Sequence, residues 1–185
     1  RLAPEQAPMI DAIRAELADD AIFISGMTNI GYWGHELYDT DVPRTYITSS
    51  YFGTLGYAFP ASLGAKVALP DRQVVSVNGD GGFQFNSQEL STAASYGINV
   101  VAIVFNNSAF GASNWDQTHR FNRHYIGTEL RNPDFMKLAE AYGVRGVRTE
   151  PDGLGPALAD ALRANAPVLI EVPVPTMMPP FQLVR

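Results

Sequence analysis

The segment QVVSVNGDG, residues 73–81, places an apolar run directly before an acidic residue that lies between two glycines. Gln73–Asn78 predicts a buried strand that ends just before Asp80. A second apolar run, Val100–Phe105, is followed by an asparagine pair that ends at Asn107. Two neighbouring parallel strands would bring Asp80 and Asn107 to the same edge of a sheet, at the carboxyl ends where open α/β sheets bind ligands.

The residue types at this edge indicate a kind of ligand. A carboxylate oxygen, an amide oxygen and glycine-rich backbone suit a hard cation that holds a phosphate. Asp and Gly are also ordinary turn residues, so the triplet Gly79-Asp80-Gly81 taken alone favours a simple turn. The cation hypothesis therefore depends on the second strand and its asparagine pair.

Composition limits the classes of protein that need consideration. The chain has 185 residues, of which 46% are apolar and 17% are charged, so residues 1–185 are expected to fold as a single globular domain. The net charge of -6 argues against a nucleic-acid surface. The chain has no cysteine, which excludes disulfides and thiolate chemistry. No apolar stretch is long enough to span a bilayer and no signal-like segment opens the chain, so we expect a cytoplasmic protein without a membrane partner.

Strand-like and helix-like segments alternate along the chain, which predicts an α/β fold with a doubly wound, mostly parallel sheet and helices on both faces. The predicted strands are Ala21–Ser25, Arg44–Thr48, Gln73–Asn78, Val100–Phe105, Val144–Thr149 and Val168–Val172. The predicted helices are Pro4–Leu17, one that opens at Gly53–Gly56 and reaches Leu69, one capped by Asn86 or Ser87 that ends at Tyr96, one from Asn132 to Tyr142, and one from Gly153 to Asn165. Ser108–Thr128 shows no clear period and is predicted to be a functional loop.

The two strand ends carry a resemblance to a known family. The residues from Asn78 to Phe83, followed by Asn106-Asn107, resemble the signature of thiamine-diphosphate enzymes, and Asn107 lies 27 positions after Asp80, as in the acetohydroxyacid synthase group. Residues 48–61, 88–93 and 132–135 are also similar to that group. The resemblance covers nearly the whole chain and implies the diphosphate-binding, C-terminal domain of a 2-oxo-acid decarboxylase or carboligase.

The resemblance also implies a set of site residues. The cofactors would be thiamine diphosphate and Mg²⁺, with the metal held by the Asp80 carboxylate, the Asn107 amide oxygen and the backbone carbonyl of Ala109. Leu55 would bend the cofactor, and Gly53 together with the Leu55 amide would bind its pyrimidine ring. The residues expected at the diphosphate are Asn29, Gly79, Gly81 and Gly82.

One part of such an enzyme has no counterpart in these residues. The resemblance implies an activating glutamate in a separate pyrimidine-binding domain, from the same or another subunit, and nothing in this chain matches that domain. We therefore expect a piece of a longer homodimeric or tetrameric enzyme, or the β subunit of a two-chain decarboxylase. Alone, the chain would have weak or no cofactor affinity and negligible turnover on a small 2-oxo acid or aldehyde.

Other hypotheses stay open at this point. A non-catalytic nucleotide-binding or regulatory module is one alternative, although Gly79-Asp80-Gly81-Gly82 does not fit the G-x-G-x-x-G spacing of dinucleotide binders. A degenerate scaffold that only makes oligomer contacts is another. Ala112 and Tyr32 replace methionines of the synthase group, which leaves the substrate open. The three histidines, His35, His119 and His124, are predicted to be surface or hydrogen-bonded residues, and Phe181 is expected in a disordered end.

Overall fold

The computed structural model describes residues 3–49 and 51–182, and these residues form one sheet of six parallel strands. The strands are β1 (Ile22–Ser25), β2 (Tyr46–Thr48), β3 (Val74–Gly79), β4 (Val101–Asn106), β5 (Arg145–Arg148) and β6 (Val168–Pro173). Their order across the sheet is β2-β1-β3-β4-β6-β5. All six predicted strands are therefore confirmed, with ends that differ by one or two residues.

Eight α-helices lie among the described residues. They are α1 (Ala7–Glu16), α2 (Asn29–Leu37), α3 (Ala58–Ala68), α4 (Asp80–Gln84), α5 (Glu89–Tyr96), α6 (Gly111–Arg120), α7 (Phe135–Ala141) and α8 (Leu154–Arg163). Single 3₁₀ turns cover Pro151–Gly153 and Pro180–Gln182. None of the helices in the described part of the chain is both long and apolar enough to cross a membrane.

The sheet separates two apolar cores because successive strand residues point to opposite faces. Val75 and Val77 of β3 pack with α1, α2 and α8 on one face. Val74 of the same strand packs with α3, α5 and α7 on the other face. The inner strands β1, β3, β4 and β6 are buried on both faces, which explains why they are mostly apolar runs rather than alternating ones. The prediction of a doubly wound sheet is confirmed.

The register of the strands places the candidate site. Gly79 at the end of β3 pairs with Phe105 of β4, so the loops that begin with Asp80 and Asn107 leave the sheet side by side. On the other side, Ser25 at the end of β1 pairs with Val77. The chain order changes direction between β1 and β3, and the crevice beyond such a switch point is where doubly wound sheets bind ligands.

Three helices differ from the sequence prediction. Ser108–Thr128 is not a structureless loop, because α6 occupies Gly111–Arg120. Two further helices, α2 and α4, follow directly after β1 and β3 and had no counterpart in the prediction. All three begin at the carboxyl edge of the sheet, so each of them shapes the candidate site.

Several predicted helix starts were also wrong: α1 begins at Ala7 rather than at Pro4, and α3 begins at Ala58 rather than at Gly53–Gly56. The residue before α5 is Gln88, and Asn86 instead donates its side-chain amide to the Gly56 carbonyl at 2.9 Å. Helix α7 begins at Phe135 rather than at Asn132, since the Asp134 side chain caps it by accepting from the Met136 amide. Both asparagines are used in tertiary contacts, which local sequence patterns do not reveal.

Candidate functional site

A cavity of about 420 Å³ lies beyond the carboxyl ends of β1, β3 and β4. It is lined by the loops that follow these strands, by the loop before α3 and by the tail after β6. Every residue that the sequence analysis placed in the cofactor or metal site lines this one cavity: Asn29, Gly53, Leu55, Gly79, Asp80, Gly81, Gly82, Asn107 and Ala109. The structure thus brings together side chains that are up to 80 positions apart in the chain.

Asp80 is the carboxylate of this cavity and is only 2% exposed. Its Oδ2 accepts a hydrogen bond from Asn132 Nδ2 at 2.6 Å. Burial raises the pKa of the Asp80 carboxyl above its ordinary value, and hydrogen bonds from Asn132 and from the backbone amides of Gly81 and Ser108 oppose that effect. Since burial still raises the pKa despite these donors, a cation at the same place would stabilise the ionised carboxylate further.

Asn107 and Ala109 present oxygens on the neighbouring loop. Asn107 donates its Nδ2 to Thr176 Oγ1 at 3.0 Å, and its amide oxygen accepts no hydrogen bond from the described residues. Ala109 forms an isolated bridge with Glu129, but the bridge is held by the residues on either side, through Phe110 N to Thr128 O at 2.8 Å and Leu130 N to Ser108 O at 2.9 Å. The Ala109 carbonyl is therefore not used by the bridge.

The glycines after β3 have two different roles. A Cβ at Gly81 would lie 2.6 Å from the Phe110 ring and 2.9 Å from Leu130, so the missing side chain is needed for packing. A Cβ at Gly82 would meet only Gly56 and Leu55 at ordinary contact distances. Gly81 thus fits the loop onto the core, and Gly82 lies open beside Leu55.

The segment after β1 is hydrogen-bonded to the tail that follows β6. Asn29 donates Nδ2 to the Met177 carbonyl at 2.9 Å and accepts from Gln6 Nε2 at 3.0 Å, so its side chain is engaged within the protein. Trp33 Nε1 donates to the Met178 carbonyl at 2.9 Å. These bonds hold Val174, Pro175 and Met177 at the cavity wall, and no local sequence pattern predicts them there.

Three helices begin at the wall of the cavity. The first residues of α2, α4 and α6 all line it, and none of these helices has a side-chain cap on its first amides. Unpaired amides at a helix start attract anions. The described residues contain no group of three or more His, Cys, Asp or Glu that could hold a metal ion. A cation here would need ligands from an anionic partner beside Asp80.

The other candidate residues lie around the cavity. His35, His119 and His124 are exposed and do not line it. The His119 ring stacks on Trp115 at 4.0 Å, within α6. Phe181 is not in a disordered end, since its ring packs against Tyr32 at 4.8 Å, whereas residues 183–185 of the tail lie outside the described residues. Tyr32 and Ala112, the two departures from the synthase pattern, both line the cavity.

Comparison with known proteins agrees with this geometry. Residues 26–172 match the family model of the thiamine pyrophosphate enzyme, C-terminal TPP binding domain. The chain is 40% identical over 142 residues to a probable acetolactate synthase large subunit of Methanocaldococcus jannaschii, covering 76% of this chain and 24% of that protein. It is 37% identical over 177 residues to the acetolactate synthase large subunit of Corynebacterium glutamicum, covering 92% and 28%.

A solved structure shows the same fold. The thiamine diphosphate-dependent 4-hydroxybenzoylformate decarboxylase of Rhodococcus jostii RHA1 superposes with a TM-score of 0.83 and 34% sequence identity, over 92% of this chain and 32% of that one. The chain thus spans about a quarter to a third of the length of these relatives. By the family match and by its fold, the chain belongs to the thiamine pyrophosphate enzymes, and it corresponds to their C-terminal domain, which binds the cofactor.

Proposed function

We propose that the cavity holds thiamine diphosphate, which is thiamine pyrophosphate, through Mg²⁺ bound by the Asp80 carboxylate, the Asn107 amide oxygen and the Ala109 carbonyl. The observation that carries the proposal is the buried Asp80 carboxylate in one cavity with two oxygens that no described residue uses. Mg²⁺ is usually bound by one or two carboxylates and completed by substrate phosphates and water. A single carboxylate beside three helix N-termini fits that chemistry.

The other cavity residues fit the rest of the cofactor. The open backbone at Gly82 lies where a diphosphate would receive amide hydrogen bonds, and Gly79 lines the same cavity with Thr28 packed against it. Gly53 and Leu55 lie on the loop before α3 and line the cavity, and Leu55 is half-buried. Leu55 would support the cofactor, and Gly53 together with the Leu55 amide would hold its pyrimidine ring. When bound, the cofactor supplies a nucleophilic carbon and an electron sink for a carbanion. The chain's own residues hold and orient it.

The complete protein would be a 2-oxo-acid decarboxylase or carboligase, with a small 2-oxo acid or aldehyde as substrate. The activating glutamate comes from a pyrimidine-binding domain of the same or another subunit, in a homodimer or tetramer. One surface supports such a partner. Tyr51 is 100% exposed and Phe52 is 88% exposed, directly beside Gly53. Exposed aromatic side chains at the mouth of a cavity are typical of protein interfaces.

A melting experiment on the intact gene product tests the cofactor site. Thiamine diphosphate should raise the melting temperature only when Mg²⁺ is present, since ligand at one hundred times its Kd adds about 2.7 kcal/mol of stability. Asp80→Ala should abolish this rise, because it removes the one carboxylate of the cavity. Asp71→Ala, at an exposed acid outside the cavity, is the matched control and should retain the rise. A rise that persists in Asp80→Ala would contradict the assignment.

A further inference from the structure

Asn132 lies where the two loops with the candidate metal ligands meet. Its Nδ2 donates to Asp80 Oδ2 at 2.6 Å and also to Asn106 Oδ1 at 2.7 Å. Its Oδ1 accepts from Gln84 Nε2 at 2.8 Å. Both hydrogens of the amide nitrogen are therefore used, one on the loop after β3 and one on the loop after β4.

The orientation of this amide follows from the chemistry of its neighbours. An ionised carboxylate only accepts hydrogen bonds, so Asn132 must turn its NH₂ group toward Asp80. Its oxygen then faces Gln84, whose NH₂ group donates to it. A reversed amide would place two acceptors against each other at Asp80 and two donors against each other at Gln84.

Asn106 is itself anchored to the sheet. Its Nδ2 donates to Glu171 Oε1 at 2.7 Å, and its Oδ1 also accepts from the Ser108 amide at 3.0 Å. Glu171 is 3% exposed in the inner strand β6, and its other oxygen accepts from Arg148 Nε at 2.8 Å. Asn106 thus fixes the turn that presents Asn107, and Asn132 ties Asp80 to that fixed turn.

We propose that Asn132 is a positioning residue that sets the cation preference of the site. The proposal rests on the proposed function, in which Asp80 and Asn107 bind Mg²⁺. Asn132 holds Asp80 Oδ2 by a hydrogen bond at 2.6 Å and so limits how the carboxylate can turn toward the cation. Mg²⁺ requires a small octahedral shell, whereas Ca²⁺ accepts a bidentate carboxylate and longer distances. Without Asn132, Asp80 can turn both oxygens toward the cation and the two loops can separate, which favours Ca²⁺.

The test measures cation preference in the intact gene product. At saturating thiamine diphosphate, the concentrations of Mg²⁺ and of Ca²⁺ that give half of the melting-temperature rise are determined separately. Asn132→Ala should raise the half-saturating Mg²⁺ concentration by about 10- to 100-fold, the usual effect of losing a partner of a metal ligand. The half-saturating Ca²⁺ concentration should rise less, so the preference of the site shifts toward Ca²⁺. Asn132→Asp should weaken Mg²⁺ binding as well, because a second carboxylate cannot donate to Asp80.

The controls separate positioning from general loss of structure. Asn99 donates to Asn165 at 2.7 Å at the opposite edge of the sheet, so Asn99→Ala removes an amide pair that cannot reach the cation. It should leave both half-saturating concentrations unchanged. If Asn132→Ala does not fold, Asn132→Ser, which keeps a small polar side chain, takes its place. It should raise the half-saturating Mg²⁺ concentration in the same way as Asn132→Ala. The melting temperature without ligands reports the structural cost of each variant.

The outcomes distinguish this inference from the proposed function. If the parent protein shows no Mg²⁺-dependent rise, or keeps the rise in Asp80→Ala, the metal assignment itself fails. If Asp80→Ala abolishes the rise but the folded Asn132 variants keep the parent's Mg²⁺ and Ca²⁺ values, only the inference about Asn132 is overturned.

Discussion

Asp80 and Asn132 show how much a single residue's role depends on contacts that are distant in sequence. The position of Asp80 after an apolar strand was enough to predict a carboxylate at the sheet edge, and the structure places it there, 2% exposed. Asn132 is 52 positions away and was expected only to begin a helix. Its bond to Asp80 depends on where the chain returns after α6, which no local pattern encodes.

Tyr46 offers a prediction that is independent of any ligand. Burial raises its pKa to about 12, from an ordinary value of 10.0. The unfolded chain therefore ionises first, and the stability that the neutral Tyr46 contributes is present below pH 10 and lost as the pH rises toward 12. Tyr46→Phe should make this loss shallower, as measured by urea unfolding at several pH values across that window.

Two other tyrosines also contribute to the loss of stability at alkaline pH. Burial also raises the pKa of Tyr32 and of Tyr38. Tyr46→Phe should therefore reduce the alkaline loss of stability without removing it. An unchanged slope between pH 10 and 12 would show that Tyr46 is more accessible to solvent than its position between Phe23 and Tyr38 indicates.

At the level of elements, the helices that the sequence did not reveal are those with weak local signals. α6 contains Ser, Asn, Asp and Thr, which favour turns and caps, and it has no buried residue to produce an apolar stripe. α2 contains two glycines in nine residues. Both helices are stabilised by their place at the end of the sheet, so tertiary packing overrides local propensity.

Gly31 in α2 provides a prediction about that packing. A Cβ there would overlap the Gly26 carbonyl oxygen and crowd Ser25 Oγ, so the helix can approach the end of β1 only without a side chain. Gly31→Ala should lower the free energy of unfolding by about 1–3 kcal/mol, as overpacking does, and should weaken cofactor binding because α2 borders the cavity. Urea unfolding and the thiamine diphosphate melting assay measure the two effects.

Gly64 is the matched control for that substitution. It also lies inside a helix, α3, but a Cβ at this position meets no atom of the described residues within 4 Å. Gly64→Ala should raise the free energy of unfolding by about 0.5–1 kcal/mol, because alanine loses less backbone entropy than glycine in a helix. A loss of stability in Gly64→Ala would indicate that helix composition, and not crowding, explains the effect at Gly31.

At the scale of the whole molecule, the cavity lies at the carboxyl edge of the sheet, and exposed aromatic side chains lie beside it. Phe52 is 88% exposed and Tyr51 fully exposed, close to the loop that carries Leu55. The relatives that share this domain are three to four times longer than the part that the chain matches. This surface is therefore where we expect the pyrimidine-binding domain to pack.

Phe52→Ser tests that expectation in the intact gene product. The side chain is almost fully exposed in the described structure, so its loss should not change the unfolding of the isolated chain. Buried aromatic residues at interface centres contribute about 2 kcal/mol or more, so subunit or domain association should weaken, as seen by sedimentation velocity and by limited proteolysis. Tyr96→Ser, at a residue 79% exposed at the far end of α5, is the control and should leave association unchanged.

Local sequence was sufficient for the architecture and for the placement of Asp80 and Asn107 in one cavity. Buried parallel strands are continuous apolar runs bounded by turn residues, so six strands, two helical layers and the placement of Asp80 and Asn107 at one edge follow from short segments. The family resemblance added the remaining candidate residues, and the structure brings all of them to one cavity.

Tertiary structure decided which polar groups meet. The tail lies over the cavity because Asn29 and Trp33 bind its carbonyls, and Asn132 joins the two ligand loops because the chain after α6 returns to Asp80. Such bonds link residues 26 to 148 positions apart. A polar group that is buried must form a hydrogen bond with another group of the protein. Which groups are buried together is decided only when the whole chain has folded.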